Sequence, residues 1–117
     1  MSLIVQKFGG TSVADLERIR HVAKRVVATY NRENDVVVIL SAMSGITDNL
    51  IDMARKVTEA PDGRELDVLL ATGEQTTSAL LAMMLKSMNY SAQSLLGHQA
   101  EVVTDYCHGN ARIVDIR

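Results

Sequence analysis

The 117-residue chain carries one cysteine, Cys107, and one proline, Pro61. A lone cysteine excludes an internal disulfide and fits a reducing compartment. Long apolar runs are also missing. The longest, residues 36–40 and 79–85, fall far short of the ~20 residues that span a bilayer, so no membrane partner is expected. There is no excess of charge of one sign: 12 Lys and Arg stand against 14 Asp and Glu, a net charge of −2. That balance argues against a broad basic face for nucleic acid. The first twenty residues hold Lys7, Asp15, Glu17, Arg18 and Arg20 around a short apolar segment. They do not read as a secretory signal, and the cytoplasm is the expected address. Repeats and low-complexity runs are absent too. What remains is 47% hydrophobic and 22% charged, a globular composition at about the length of one small domain.

The pattern along the chain is that of alternating strands and helices. Leu3-Ile4-Val5 reads as a short buried strand. Phe8-Gly9-Gly10-Thr11-Ser12 breaks it, and Leu16, Ile19, Val22, Ala23, Val26, Val27 and Tyr30 follow at helical spacing. Ser12, three residues before Asp15, suggests a capping box. Residues 36–40 are apolar at every position, which predicts a strand covered on both faces, as in a parallel sheet. A small-residue loop, residues 41–45, leads to a second helix through Leu50, Met53, Ala54 and Val57. Strand, loop and helix occur twice, the grammar of a βαβ unit. Residues 65–88 are helical in composition, with an interruption expected at Thr72-Gly73-Glu74. Residues 91–96 and 101–104 read as short strands, and 111–116 begins another apolar segment.

Three places on this frame could carry chemistry. Lys7-Phe8-Gly9-Gly10-Thr11-Ser12 joins a strand to a helix. Adjacent glycines let backbone amides approach a ligand, the helix N-terminus favours an anion, and Lys7 adds a point charge suited to a phosphoryl group. It is neither a Walker A loop nor G-x-G-x-x-G, and a tight left-handed turn with an incidental lysine is the bland alternative. Ser41-Ala42-Met43-Ser44-Gly45-Ile46-Thr47-Asp48 lies beyond the carboxyl end of a strand, where open α/β sheets place ligands. Its hydroxyls could equally be helix caps. Glu74 stands between apolar helical runs, which suggests a largely buried carboxylate in need of a cation. A substrate ammonium or Lys7 could supply it; a solvated Glu at a helix N-terminus is the alternative. Cys107, His98 and His108 match no zinc spacing. Met83, Met84 and Met88, at helical spacing, read as core filler.

These segments resemble the aspartokinases. Val5-Gln6-Lys7-Phe8-Gly9-Gly10-Thr11-Ser12-Val13 is similar to their N-terminal signature. The Ser41–Asp48 segment resembles a second motif, Leu69-Leu70-Ala71-Thr72-Gly73-Glu74-Gln75 a third, and His108-Gly109-Asn110-Ala111-Arg112-Ile113 a further one. The resemblance implies the amino-acid-kinase fold, an α/β/α sandwich with a largely parallel central sheet. It implies ATP-dependent phosphorylation of the L-aspartate β-carboxylate to 4-phospho-L-aspartate, the committed step toward lysine, threonine and methionine. By the same resemblance Lys7 is the catalytic residue that stabilises the transferring phosphoryl group. Lys7, Phe8, Gly9 and Gly10 bind the nucleotide phosphates, with Mg²⁺ accompanying ATP. Ser41, Thr47 and Glu74 serve the aspartate site, and Glu74 either binds the substrate amino group or anchors Lys7.

The family pattern has a Gly after the Gln-Ala pair; here Glu101 follows Gln99-Ala100, and Leu95-Leu96 precede it. No site residue is carried from that stretch. The resemblance covers the N-terminal portion of a kinase domain, residues 1–117. The nucleotide-binding half and the regulatory ACT domains are expected outside it. Further copies of the chain or a C-terminal half are therefore expected partners, beside L-aspartate and ATP. Two other readings stay open: a non-catalytic assembly module made from a kinase half, and a related kinase acting on a different acid.

Overall fold

The computed structural model describes residues 2–97, 99–100, 102–104 and 113–116. Strand β1 (Ser2–Phe8) pairs in parallel with β2 (Asn34–Leu40), in the register Ser2↔Asn34 through Phe8↔Leu40. Helix α1 (Leu16–Tyr30) connects them, completing the expected βαβ unit. Helices α2 (Ile46–Val57) and α3 (Gly63–Ser87) follow. A short antiparallel pair, β3 (Val102–Thr104) and β4 (Ile113–Ile116), forms a second sheet with an irregular register at Val103/Thr104.

The core lies between the parallel sheet and helices α1 and α3. Phe8, Val13, Ile19, Val22, Ala23, Val26, Leu81 and Leu85 form its buried cluster, with Val36, Val38 and Leu40 packed against it. Burying an aliphatic side chain fully, as Ile19 is, stabilises a fold by roughly 1.5–3 kcal/mol. Helix α1 starts at Asp15, whose carboxylate accepts from the Arg18 N–H at 2.9 Å. The cap is thus Asp15 itself and not Ser12, which is occupied in a turn where its N–H donates to the Gly9 carbonyl at 3.0 Å.

Several expectations are corrected here. Among the described residues the parallel sheet is covered on one face only. Along β1 and β2 the even-numbered residues 4, 6, 8, 36, 38 and 40 point to the helices. Leu3 (66% exposed), Val5 (58%), Val37 (46%) and Ile39 (50%) form an open apolar face. Helices α1 and α3 pack on the same side of the sheet, and α2 packs on α3 instead of on the strands. Helix α3 runs unbroken through Gly73. Residues 91–96 form no strand and none of the described strands pairs with them. Of the three methionines read as core filler, Met84 and Met88 pack on the core but Met83 is exposed.

Helix α3, at 25 residues and with an 18-residue stretch of mean hydropathy 1.2, is long and apolar enough to cross a membrane by length and composition alone. It also carries Arg64, Glu65, Asp67, Glu74 and Lys86. Its line of buried residues, Gly73, Thr77, Leu81 and Leu85, packs within this fold as a core helix does.

The open sheet face predicts self-association of the isolated 117-residue chain, because a contiguous apolar patch is sticky in water. Light scattering should show mass rising with concentration. Val37→Lys with Ile39→Lys should suppress the rise while leaving the helix-side core intact. A concentration-independent monomer in the unsubstituted chain would contradict this.

Candidate functional site

The three motifs converge at the carboxyl ends of β1 and β2. The Ser41 N–H donates to the Phe8 carbonyl at 3.2 Å, extending the parallel ladder past both strands. Both loops therefore leave the sheet side by side. A side chain built on Gly10 would lie 3.7 Å from the Ala42 carbonyl oxygen. On the far side of Ala42, a Cβ on Gly73 of α3 would fall 2.9 Å from the Ala42 Cβ. The glycine loop, the serine loop and the middle of α3 are thus stacked through Ala42, itself 6% exposed.

Within the first loop, Phe8 is 5% exposed and Arg25 lies over its ring at 5.3 Å. Its side chain is spent on the core, and its backbone belongs to the parallel ladder with β2. Lys7, one residue earlier, falls on the opposite face of the strand and is exposed. Neither Gly9 nor Gly10 has the left-handed backbone considered as the bland reading. A Cβ on Gly9 would meet nothing within 4 Å. The fold itself does not require glycine at this position, and the bare backbone faces open space.

Gly45, at φ 79°, is the left-handed residue of the second loop and occupies the cap position of α2. No side chain caps this helix, so neither Ser44 nor Thr47 is spent on the capping role that was their alternative. Thr47, half-buried, sits in the first turn with its hydroxyl uncommitted among the described hydrogen bonds. An uncapped helix start adds a positive dipole end beside the serine loop.

Glu74 is exposed on α3, contrary to the burial expected of it. Leu69 and Leu80 point elsewhere around the helix, Leu70 one turn back is itself only half-buried, and Glu74 is mid-helix rather than at an N-terminus. Among the described residues the ion pairs are Lys56–Asp52 and Arg64–Glu65. Glu74 does not anchor Lys7 in this structure, and both charges remain available. Two open cavities, of about 440 Å³ between α1 and α3 and about 450 Å³ between α3 and residues 94–96 and 99, are lined by none of Lys7, Ser41, Thr47 and Glu74. His98, Glu101, Cys107 and the fourth family segment from His108 to Arg112 lie outside the described residues.

Two adjacent loops, one glycine-rich and one rich in hydroxyls, lie past the carboxyl ends of a parallel sheet, where open α/β sheets place ligands. The match to known proteins is more specific. The chain belongs to the amino acid kinase family, whose family model matches residues 2–117. It is 54% identical over 116 residues to the aspartokinase of Mycobacterium tuberculosis (strain ATCC 25618 / H37Rv), covering 99% of this chain and 28% of that protein. The aspartokinase of Geobacillus stearothermophilus is 53% identical with the same coverage. Among solved structures, aspartate kinase from Synechocystis superposes with a TM-score of 0.79 at 49% identity, over 86% of this chain and 17% of that one. The E. coli aspartokinase III structure in complex with aspartate and ADP superposes with a TM-score of 0.81 at 22% identity, over 97% of this chain and 35% of that one. The fold is the amino-acid-kinase α/β fold, and the chain spans about 28% of the length of the curated relatives it matches.

Proposed function

We propose that this segment forms the phosphate-loop and acceptor part of an aspartate kinase of the cytoplasm, which transfers the γ-phosphoryl group of ATP to the β-carboxylate of L-aspartate. The observation that carries the reading is Gly9: its backbone is not left-handed and a Cβ there would touch nothing. A glycine that the fold does not need suits an approaching phosphate. Relatives named aspartokinase at 52–54% identity support the choice of acceptor.

In this reading the amides of Gly9 and Gly10 cradle the phosphates beside the anchored Phe8, and Lys7 neutralises charge on the transferring group. Ser41, Thr47 and the open start of α2 take the carboxylates of aspartate, and Glu74 takes its ammonium. The transfer needs positioning and charge neutralisation, with no covalent enzyme intermediate. Mg²⁺ arrives with the nucleotide phosphates; among the described residues no group of three His, Cys, Asp or Glu gathers to hold it.

The isolated 117 residues are expected to stay at background in a coupled ADP-release assay with aspartate, because phosphate contacts alone do not orient ATP for in-line transfer. The same residues joined to the remaining length of a relative's kinase domain should turn over. Robust turnover by the isolated chain would overturn its reading as one part of the kinase, and none by the joined one would overturn the assignment.

A further inference from the structure

Ala42 is held between two glycines that do different things. Toward Gly10 the approach is ordinary: a Cβ there would lie 3.7 Å from the Ala42 carbonyl oxygen. Toward Gly73 there is no room. A Cβ on Gly73 would stand 2.9 Å from the Ala42 Cβ, 3.3 Å from Ile46 Cγ2 and 3.8 Å from Leu50 Cδ1. Glycine is a poor residue for a helix interior, yet Gly73 sits near the middle of the 25-residue α3 with no break. Close approach accounts for it. The helix is fixed at this point by Thr77, fully buried, whose hydroxyl donates to the Gly73 carbonyl at 3.1 Å.

The neighbours of this contact are the candidate acceptor residues. Glu74 follows Gly73 on α3, Ser41 precedes Ala42, and Thr47 follows Ile46 on α2. Whatever separates Gly73 from Ala42 and Ile46 also separates Glu74 from Ser41 and Thr47. We propose that Gly73 is a positioning residue whose missing side chain sets the spacing of the acceptor site, holding Glu74 at the distance from Ser41 and Thr47 that one small amino-dicarboxylate spans. The inference rests on the kinase reading above for its substrate, but its contact is testable without it. The nucleotide loop meets Ala42 only through Gly10, at an ordinary 3.7 Å from the Ala42 carbonyl oxygen, so nucleotide binding should follow this spacing much less than the acceptor site does.

The test is a cycle in the whole kinase: Gly73→Ala, Ala42→Gly, which removes the methyl that the new Cβ meets, and the two together. Gly73→Ala should raise KM for aspartate by roughly 10-fold or more, since displacements of about 1 Å are costly at a reacting centre. KM for ATP should stay near its starting value. Ala42→Gly in that background should bring the aspartate KM most of the way back. In thermal unfolding the pair should be non-additive, with the double variant more stable than Gly73→Ala. An aspartate KM unchanged by Gly73→Ala would overturn the positioning role, and so would equal rises for aspartate and ATP. Additive stability effects would overturn the contact itself. An unsubstituted kinase inert toward aspartate would instead remove the functional reading, while the unfolding cycle still decided the contact.

Discussion

Lys7→Ala in the whole kinase is expected to lower kcat by roughly 10²-fold or more, the loss that follows removal of a preorganised electrostatic donor. KM for aspartate should move far less, because the charge Lys7 neutralises develops mainly during transfer. Local structure supports this. Phe8 is anchored in the core and its carbonyl is fixed by Ser41, so the backbone of β1 is rigid where Lys7 leaves it. The lysine itself is exposed and forms no ion pair among the described residues. No internal partner explains a cation beside a bare glycine loop. Lys7→Arg should restore only part of the rate, since a planar fork does not place its charge where a compact ammonium does. Steady-state kinetics decide the matter: near-normal kcat for Lys7→Ala would leave Lys7 a surface charge beside a turn.

What the sequence made legible follows from periodicity, and what it hid follows from packing. The 3.6-residue pattern from Leu16 to Tyr30 and the apolar run at 36–40 place α1 and β2 where the structure has them. The loops at Gly9 and Ser41 then fall at the strand ends, because a parallel βαβ unit puts them there. The uncovered sheet face was not legible. Residues 36–39 are β-branched and 36–40 apolar whether or not a helix lies over Val37 and Ile39, and only the placement of α1 and α3 on one side decides it. Gly73 was misread for a related reason. A glycine inside a helical pattern signals either a break or a close approach, and the Ala42 methyl that distinguishes them is 31 positions away in sequence. Glu74 looked buried because its sequence neighbours are apolar, yet on a helix adjacent residues point about 100° apart. Residues 91–96 had strand composition and no strand to pair with.

Glu74 carries the second large expectation, and its exposure sharpens it. Glu74→Gln in the whole kinase should raise KM for aspartate by about 10- to 100-fold, with kcat changing much less. The estimate comes from a hydrogen bond to a charged group, worth about 1.5–3 kcal/mol, at 1.4 kcal/mol per tenfold. A solvent-exposed ion pair would be worth only about 0–1 kcal/mol, less than tenfold. The size of the rise therefore reports whether bound substrate encloses the carboxylate that stands exposed on α3 here. Glu74→Asp should recover part of the affinity, because the shorter arm on a fixed helix falls short of the ammonium. The other role considered for Glu74, anchoring Lys7, makes the opposite prediction. Loss of an anchor would lower kcat as Lys7→Ala does and leave the aspartate KM near its starting value. The two residues are unpaired with each other in this structure, which favours the substrate role. Measuring both parameters for Glu74→Gln separates them, and a normal KM would exclude Glu74 from the acceptor site.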